Sequence, residues 1–279
     1  MRKITKSAIT NAIKRSLIKI NYNLDDTFIS RLEKAREKES SGVAKSILDD
    51  ILENQDIAKK GVNPLCQDTG IVVVFAEIGR DISIESSLDD AVNEGVRQAY
   101  QEGFLRKSIV EHPFNRQNTK DNTPAVIHTK IVVGDKLRLK IAAKGAGSEN
   151  MSKVVMLKPT DGIDGVKQIV KDAIFKAGGR PCPPLIIGLG IGGNLEKSAL
   201  LAKEALLRDL DDVNPDPVLR KLETELNDEI NALGVGPMGV GGDTTCIAVK
   251  INTYPMHIAS LPVAINIQCH ANRHDEVIL

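Results

Sequence analysis

The run Ile71-Val72-Val73-Val74-Phe75 constrains this chain more than any other stretch. It has no polar position to turn toward water, so it reads as a buried strand with a core built around it. Directly before it stands Asn63-Pro64-Leu65-Cys66-Gln67-Asp68-Thr69-Gly70. The proline and the glycine bracket a thiol, an amide and a carboxylate, and hold all three in a turn at the edge of the core. Turns fixed by rigid elements are where binding and catalytic groups concentrate. The same pattern also arises from a small buried Cys beside a turn-forming Asp, with no chemistry attached.

The segments before this turn are helical. Ile9, Ala12, Ile13 and Leu17 fall at helical spacing, as do Phe28, Ile29 and Leu32. Asp25 or Asp26 can cap the second helix. Ser40 or Ser41 can cap a third, which carries Val43, Ile47, Leu48, Ile51 and Leu52 on one face. Residues 1 to about 60 therefore form a helical cover. Strand 71–78 and helix 88–104 follow. A hairpin is expected from strands 125–133 and 136–143, joined at Gly134-Asp135. Beyond it come strand 153–157, helix 161–176, a short strand 185–188, helices 195–210 and 218–233, and strands 247–251 and 262–267. Helices and strands in this arrangement make the fold class α+β, with mixed elements and a helical N-terminal region over a sheet-containing core. With no linker or repeat in view, residues 1–279 are expected to form one domain.

The pattern Gly188-Leu189-Gly190-Ile191-Gly192-Gly193 matches the dinucleotide-binding spacing. That reading needs a second strand carrying an acid soon after the helix. Here the helix runs into Asp211-Asp212-Val213-Asn214-Pro215-Asp216-Pro217 and then another helix, so no βαβ unit is expected. The glycines are expected instead to let backbone approach a ligand, with the helix N-terminus receiving a carboxylate.

Charge narrows the partners. Lys and Arg number 37, and so do Asp and Glu, which gives no reason to expect nucleic acid or an anionic membrane. No apolar run approaches the ~20 residues of a membrane span. The N-terminus lacks a continuous apolar signal region, so a cytoplasmic protein is expected. Aromatics are 3%, which excludes base-stacking platforms and leaves the core to Ile, Leu, Val and Ala.

Four widely spaced cysteines argue against a disulfide framework. Cys66, Cys182 and Cys269 each sit in a turn beside a strand, among prolines or polar residues. Thiolates are soft ligands suited to iron–sulfur clusters, and three of them leave one iron of a [4Fe–4S] cube open as a Lewis acid. Unrelated buried thiols remain the other reading of the same three residues.

The motifs P-L-C-Q-D-T-G (64–70), K-G-A-G-S-E-N (144–150), G-R-P-C-P-P (179–184), residues 188–194, G-P-M-G-V-G-G-D-T-T (236–245) and C-H-A-N-R-H (269–274) run through nearly the whole chain. With them the chain resembles the α subunit of the two-subunit class I fumarate hydratases and the related L-tartrate dehydratases. The resemblance implies a hydro-lyase that interconverts fumarate and (S)-malate, with L-tartrate or a related hydroxy-dicarboxylate as the alternative substrate. It implies a [4Fe–4S] cluster held by Cys66, Cys182 and Cys269, with Cys246 a packing residue. It also implies substrate contacts from Gln67, Asp68, Arg106, Gly145 and Gly147. His270, Arg273 and His274 lie near a ligand cysteine, where orienting the loop is at least as good an expectation as catalysis. In the family, a further domain supplies the catalytic base, a threonine. Because this chain stops soon after its third cysteine motif, a separate β subunit carrying that base is expected. The assembly would be a heterotetramer of two α and two β subunits. A non-catalytic thiol- or metal-binding scaffold subunit is the reading from another class.

Overall fold

The structure, a computed structural model, describes residues 2–279. In chain order the elements are β1 (Arg2–Ile4), α1 (Lys6–Tyr22), α2 (Asp26–Lys38), α3 (Gly42–Lys59), β2 (Ile71–Gly79), β3 (Ile82–Ile84), α4 (Leu88–Glu102), β4 (Val126–Val132) and β5 (Leu137–Lys144). They continue with α5 (Ala146–Glu149), β6 (Lys153–Leu157), α6 (Gly162–Ala177), β7 (Leu185–Gly192), α7 (Leu195–Ala205), α8 (Pro217–Asn231), β8 (Cys246–Tyr254), β9 (Leu261–Gln268) and β10 (His274–Ile278). The class is α+β. The chain divides into two compact units. One comprises the segment ending at Leu24, Gln55–Ala146 and Arg273–Leu279. The other comprises Asp25–Asn54 and Gly147–Asn272.

In the first unit a four-stranded sheet has the order β10-β5-β2-β4. The apolar run 71–75 opens β2, which is flanked on both edges. The stripe Ile9, Ile13, Leu17 and Ile20 of α1 packs with Leu88, Ala91, Val92, Val96 and Ala99 of α4 against Val72, Val74 and Ala76 of β2 and Leu137, Leu139, Ile141 and Ala143 of β5. Burying such side chains stabilises by about 1.5–3 kcal/mol each. Helix α1 begins at Thr5, whose Oγ1 accepts from the Ala8 amide at 3.2 Å. That bond satisfies one of the donors a helix start leaves open.

The expected 125–143 hairpin does not form. Strand β2 lies between β4 and β5, parallel to the first and antiparallel to the second. Tight turn signals at Gly134-Asp135 predict direct pairing, but the turn passes over the end of β2. Lys136 O accepts from Gly79 N at 2.9 Å, Val132 O from Arg80 N at 2.8 Å and Gly134 O from Asp81 N at 3.0 Å. An apolar strand gains more by filling the middle of a sheet than by lying at its edge.

In the second unit the sheet order is β6-β9-β7-β8. Val170, Ala173 and Ile174 of α6 and Leu222, Leu226 and Ile230 of α8 cover the face formed by Leu185, Ile187, Leu189, Val249, Ile251, Ile265 and Ile267. Strands β7 and β8 pair in parallel and are joined through α7 and α8, so a β-α-α-β crossover exists where none was expected. Two helices and the polar 211–217 turn separate the strands in sequence, which hid the pairing. The glycine run is also a correction. It is the continuation of β7, not a loop after it. A Cβ on Gly188 would lie 2.2 Å from Ala202 O, and one on Gly190 would lie 2.0 Å from Ser198 O. The missing side chains let α7 rest directly on the strand, and protein backbone fills the space expected for a ligand. The N-terminus of α7 is closed by Asn194, whose Oδ1 accepts from Lys197 N at 3.2 Å.

Helix α2 starts at Asp25, whose carboxylate accepts from Thr27 N and Phe28 N. In α3 the inward residues are Ala44, Leu48 and Ile51, while Val43, expected on that face, is 63% exposed.

Candidate functional site

In the first unit the 64–70 turn is fixed from several sides. Leu65 N donates to Asn21 O at 2.8 Å, which ties the turn to α1. The fully buried Tyr100 of α4 directs its hydroxyl at Thr69 O (2.7 Å) and Gly70 O (2.9 Å), and burial raises its pKa well above that of an ordinary phenol. Asn122 Nδ2 also donates to Gly70 O, at 3.1 Å. Thr69 Oγ1 donates to Arg106 O at 2.8 Å, so Arg106 is anchored by its backbone beside Asp68 while its side chain is exposed. A guanidinium in that state suits a bidentate carboxylate.

Asp68 is the centre of this half. Its Oδ1 accepts from Gly70 N at 3.1 Å, and its Oδ2 accepts from Ala146 N at 2.7 Å. Its carbonyl accepts from Arg273 Nη1 at 2.7 Å. Arg273 is 2% exposed and also donates to Asn21 Oδ1 at 3.0 Å, while its Nε has no partner. A Cβ on Gly145 would stand 3.1 Å from Asp68 Oδ2 and 3.3 Å from Arg273 Nη2, so a larger residue would crowd both. The structure thus brings together Asp68, the Arg106 backbone and Gly145. It adds Asn21, Tyr100 and Asn122, to which no site role had been given, and places Arg273, expected to orient the last cysteine loop, on the Asp68 turn. Asn21 left one signal: it continues the i, i+4 stripe of Ile9, Ile13 and Leu17, where a polar residue needs a buried partner. Cys66 is half-buried and Gln67 exposed in the same turn.

In the second unit Cys182 takes φ +57° between Arg180-Pro181 and Pro183-Pro184, in the left-handed region that non-glycine residues seldom occupy. Its N–H donates to Gly179 O at 3.0 Å. Its carbonyl accepts from His270 N at 3.3 Å and faces His270 Nδ1 at 3.1 Å. The cysteine motifs 179–184 and 269–274 are therefore joined: the residue after Cys269 holds the peptide of Cys182. Pro183 O accepts from Met238 N at 2.9 Å, which adds the 236–245 motif to the group. That motif is itself organised by Glu39, a buried carboxylate that accepts from Asp243 N and Thr244 N. Cys269 is buried, and its Sγ faces Gln268 Nε2 at 3.8 Å. Gly147, in the turn of α5, is exposed. His274 opens β10 opposite Ala142, a position in a ladder.

Cys246 behaves differently. It is 2% exposed in β8, its Sγ points at Ala248 O at 3.3 Å, and burial pushes its thiol up to about 12. A thiol held protonated is a poor metal ligand. Strict alternation along β8 would put it on the face away from Val249 and Ile251, but a bulge at the Leu185/Ile186 register step brings it into their cluster.

All four cysteines are free thiols. Among the described residues no three His, Cys, Asp or Glu side chains converge on a single metal ion. A cube of four irons is bound at its corners, so its ligands need not converge in that way. Cys66 in the first unit is half-buried, and in the second Cys182 is half-buried and Cys269 is 9% exposed; each is a thiol in a backbone-pinned turn, the soft donor type that iron–sulfur clusters take. Cys246 does not fit it. Among the described residues no helix is long and apolar enough to cross a membrane.

A family model described as fumarate hydratase (Fumerase) matches residues 10–278. A protein of Methanocaldococcus jannaschii named "Putative L(+)-tartrate dehydratase subunit alpha" is 45% identical over 249 residues, which cover 87% of each chain. The L(+)-tartrate dehydratase subunit alpha of Escherichia coli strain K12 is 27% identical over 275 residues, covering 97% of this chain and 90% of that one. The protein of the same name from strain UTI89 is 28% identical over 269 residues, covering 95% and 88%.

Proposed function

Because this chain belongs to the fumarate hydratase (Fumerase) family, we propose that it is the α subunit of a two-subunit hydro-lyase acting on a four-carbon hydroxy-dicarboxylate, with L(+)-tartrate as the substrate. Hydro-lyase chemistry is the family's. The observation that carries the substrate is the match, over 87% and 97% of this chain, to relatives named for tartrate dehydratase. Those names favour tartrate over fumarate and malate, although the family model takes its name from fumarate. The names also carry the partner: a subunit designated alpha works with another.

A [4Fe–4S] cluster on Cys66, Cys182 and Cys269 would supply Lewis acidity toward a substrate hydroxyl and carboxylate. Of this chain's own residues, Arg106 would grip a carboxylate through its exposed guanidinium. Gln67 would donate an amide hydrogen bond. Asp68, its carboxylate already held by two backbone amides, would accept from a substrate hydroxyl. Gly145 and Gly147 keep the backbone beside the substrate free of side chains. His270 orients the Cys182 peptide. The catalytic base belongs to the partner.

The test is anaerobic purification of the chain alone and with its β subunit. Iron, labile sulfide and turnover of L-tartrate, fumarate and malate are measured in each. L-tartrate turnover, releasing oxaloacetate, is expected from the pair only. Full turnover by the chain alone would overturn the two-subunit reading, and a preference for fumarate would overturn the substrate. Cys182→Ser is expected to lose iron and sulfide while Cys246→Ala keeps both. The reverse pattern would overturn the ligand assignment. Zinc or no metal in the wild-type pair would favour a scaffold role.

A further inference from the structure

We infer that Lys203 of α7 is a positioning residue, which through Glu149 sets the K-G-A-G-S-E-N loop against β9, the strand that leads into Cys269. The inference rests on the proposed function and assigns a role to residues outside its substrate and cluster sets.

Three observations within the second unit carry it. First, the Lys203 side chain is 16% exposed and its ammonium pairs with Glu149 Oε1, the last residue of the turn that contains Gly147. Burial lowers the Lys203 pKa, opposed by the Glu149 charge, so this ammonium is held where water serves it poorly. Second, Glu149 Oε2 accepts from Asn266 Nδ2 at 3.1 Å, and the same amide stands 3.3 Å from Ser152 Oγ. Ser152 Oγ in turn accepts from Ile267 N at 3.1 Å. Both ends of the segment 149–152 are thereby fastened to β9 at 266 and 267, two or three residues before Cys269. Asn266, 7% exposed, directs its amide protons at these partners and leaves Oδ1 with none, so its orientation is dictated by the Glu149 side. Third, Lys203 reaches Glu149 because α7 lies directly on β7, a closeness that Gly188 and Gly190 permit. The four side chains line an open cleft of about 230 Å³. A lysine serving only solubility would extend into that opening; this one turns inward to the carboxylate.

The chain reads as one linkage. Small residues in β7 admit α7, α7 delivers a cation, the cation holds Glu149, and Glu149 with Ser152 fixes a candidate substrate loop to the strand that leads into a candidate cluster ligand. The motifs 144–150, 188–194 and 269–274 serve one geometry by this route.

The test uses the α–β complex, wild type and with Lys203→Met, Lys203→Arg or Glu149→Gln in the α chain. Iron and sulfide, KM and kcat for L-tartrate, and hydrogen exchange of the amides in 145–152 and 266–270 are measured. Lys203→Met and Glu149→Gln are expected to raise KM at least tenfold, to change kcat less, and to speed exchange in both segments. Cluster content is expected to be kept, and Lys203→Arg to recover most of the KM. A lowered melting temperature with unchanged KM and unchanged exchange would reduce the pair to a structural one and overturn the inference. A wild-type complex inactive on every hydroxy-dicarboxylate would defeat the functional reading instead. The exchange data would then still decide the linkage, and unaltered exchange in both Lys203→Met and Glu149→Gln would refute it. Glu149→Gln keeps shape and two hydrogen-bonding groups, so it covers the case in which Lys203→Met fails to fold.

Discussion

Arg273→Met tests how the Asp68 turn is held. Methionine keeps most of the buried stem and removes the guanidinium. In the native chain that group donates to Asp68 O at 2.7 Å and to Asn21 Oδ1 at 3.0 Å, at 2% exposure. Both acceptors lose a charge-assisted bond. A buried polar group left unsatisfied costs about 1–3 kcal/mol, so the two together cost about 2–6 kcal/mol. Part of this is returned, because Nε of Arg273 is already an orphaned donor and a charge no longer has to be desolvated. A net loss of about 2–4 kcal/mol is expected. The backbone bond from Ala143 N to Arg273 O (3.0 Å) does not depend on the side chain and should persist. Arg273→Lys supplies one ammonium where a planar fork served two acceptors, so an intermediate loss is expected. Urea unfolding reads the effect as a shift in midpoint at unchanged slope. Amide exchange at Thr69 and Gly70 reads whether the turn itself loosens. A shift worth under about 0.5 kcal/mol for the methionine variant would refute the reasoning, since that is the scale of an ordinary surface substitution.

Three further substitutions probe packing and buried charge. Gly190→Ala places a methyl 2.0 Å from Ser198 O and 2.6 Å from Ala202 N, so α7 must move; a loss of about 1–3 kcal/mol or more is expected. Gly42→Ala, with open space around its Cβ, should instead stabilise by about 0.4–1 kcal/mol, and equal melting temperatures for the two variants would defeat this account of the glycines. Burial works to raise the Asp212 pKa, but Arg208 and Lys250 hydrogen-bond to it and hold it below the usual carboxylate value. Its contribution is therefore full above the unfolded value of about 3.9 and lost as pH falls through the lower folded value. Lys250→Met should cost about 1–3 kcal/mol at neutral pH, since Arg208 still pairs with Asp212, and should flatten the acid limb of stability; a limb as steep as wild type would count against it.

Most elements were legible because each carries its own period. The i, i+4 stripe of α1 and the solid run of β2 need nothing from elsewhere in the chain, and α4 carries a similar apolar face from Leu88 to Tyr100. The exceptions are short: β1 and β3 pair over three residues and hide among charged neighbours, and β10 follows a motif whose chemistry drew attention from its alternation. Strand order was not legible. Turn chemistry at Gly134-Asp135 is correct for a reversal, yet it does not say whether the returning strand lies beside its predecessor or one place over. That is decided by how well β2, against its rivals, fills a two-sided position in the sheet.

The candidate site divides along the same line. Cys66, Cys182 and Cys269 stand out because cysteine is uncommon in ordinary turns, and Asp68 because it lies two residues from one of them. Arg273, Asn21 and Glu39 do their work by hydrogen bonds to backbone groups far away in sequence, and nothing local marks such a bond. Gly188 and Gly190 show the cost of reading residue type without its neighbour. A glycine run before a helix is equally what a phosphate needs and what a closely packed helix needs. Only the oxygen of Ser198, 2.0 Å from where a Cβ would stand, tells them apart. The same closeness brings Lys203 to Glu149. A motif taken for ligand binding thus acts at one remove, by setting the distance from which another residue reaches.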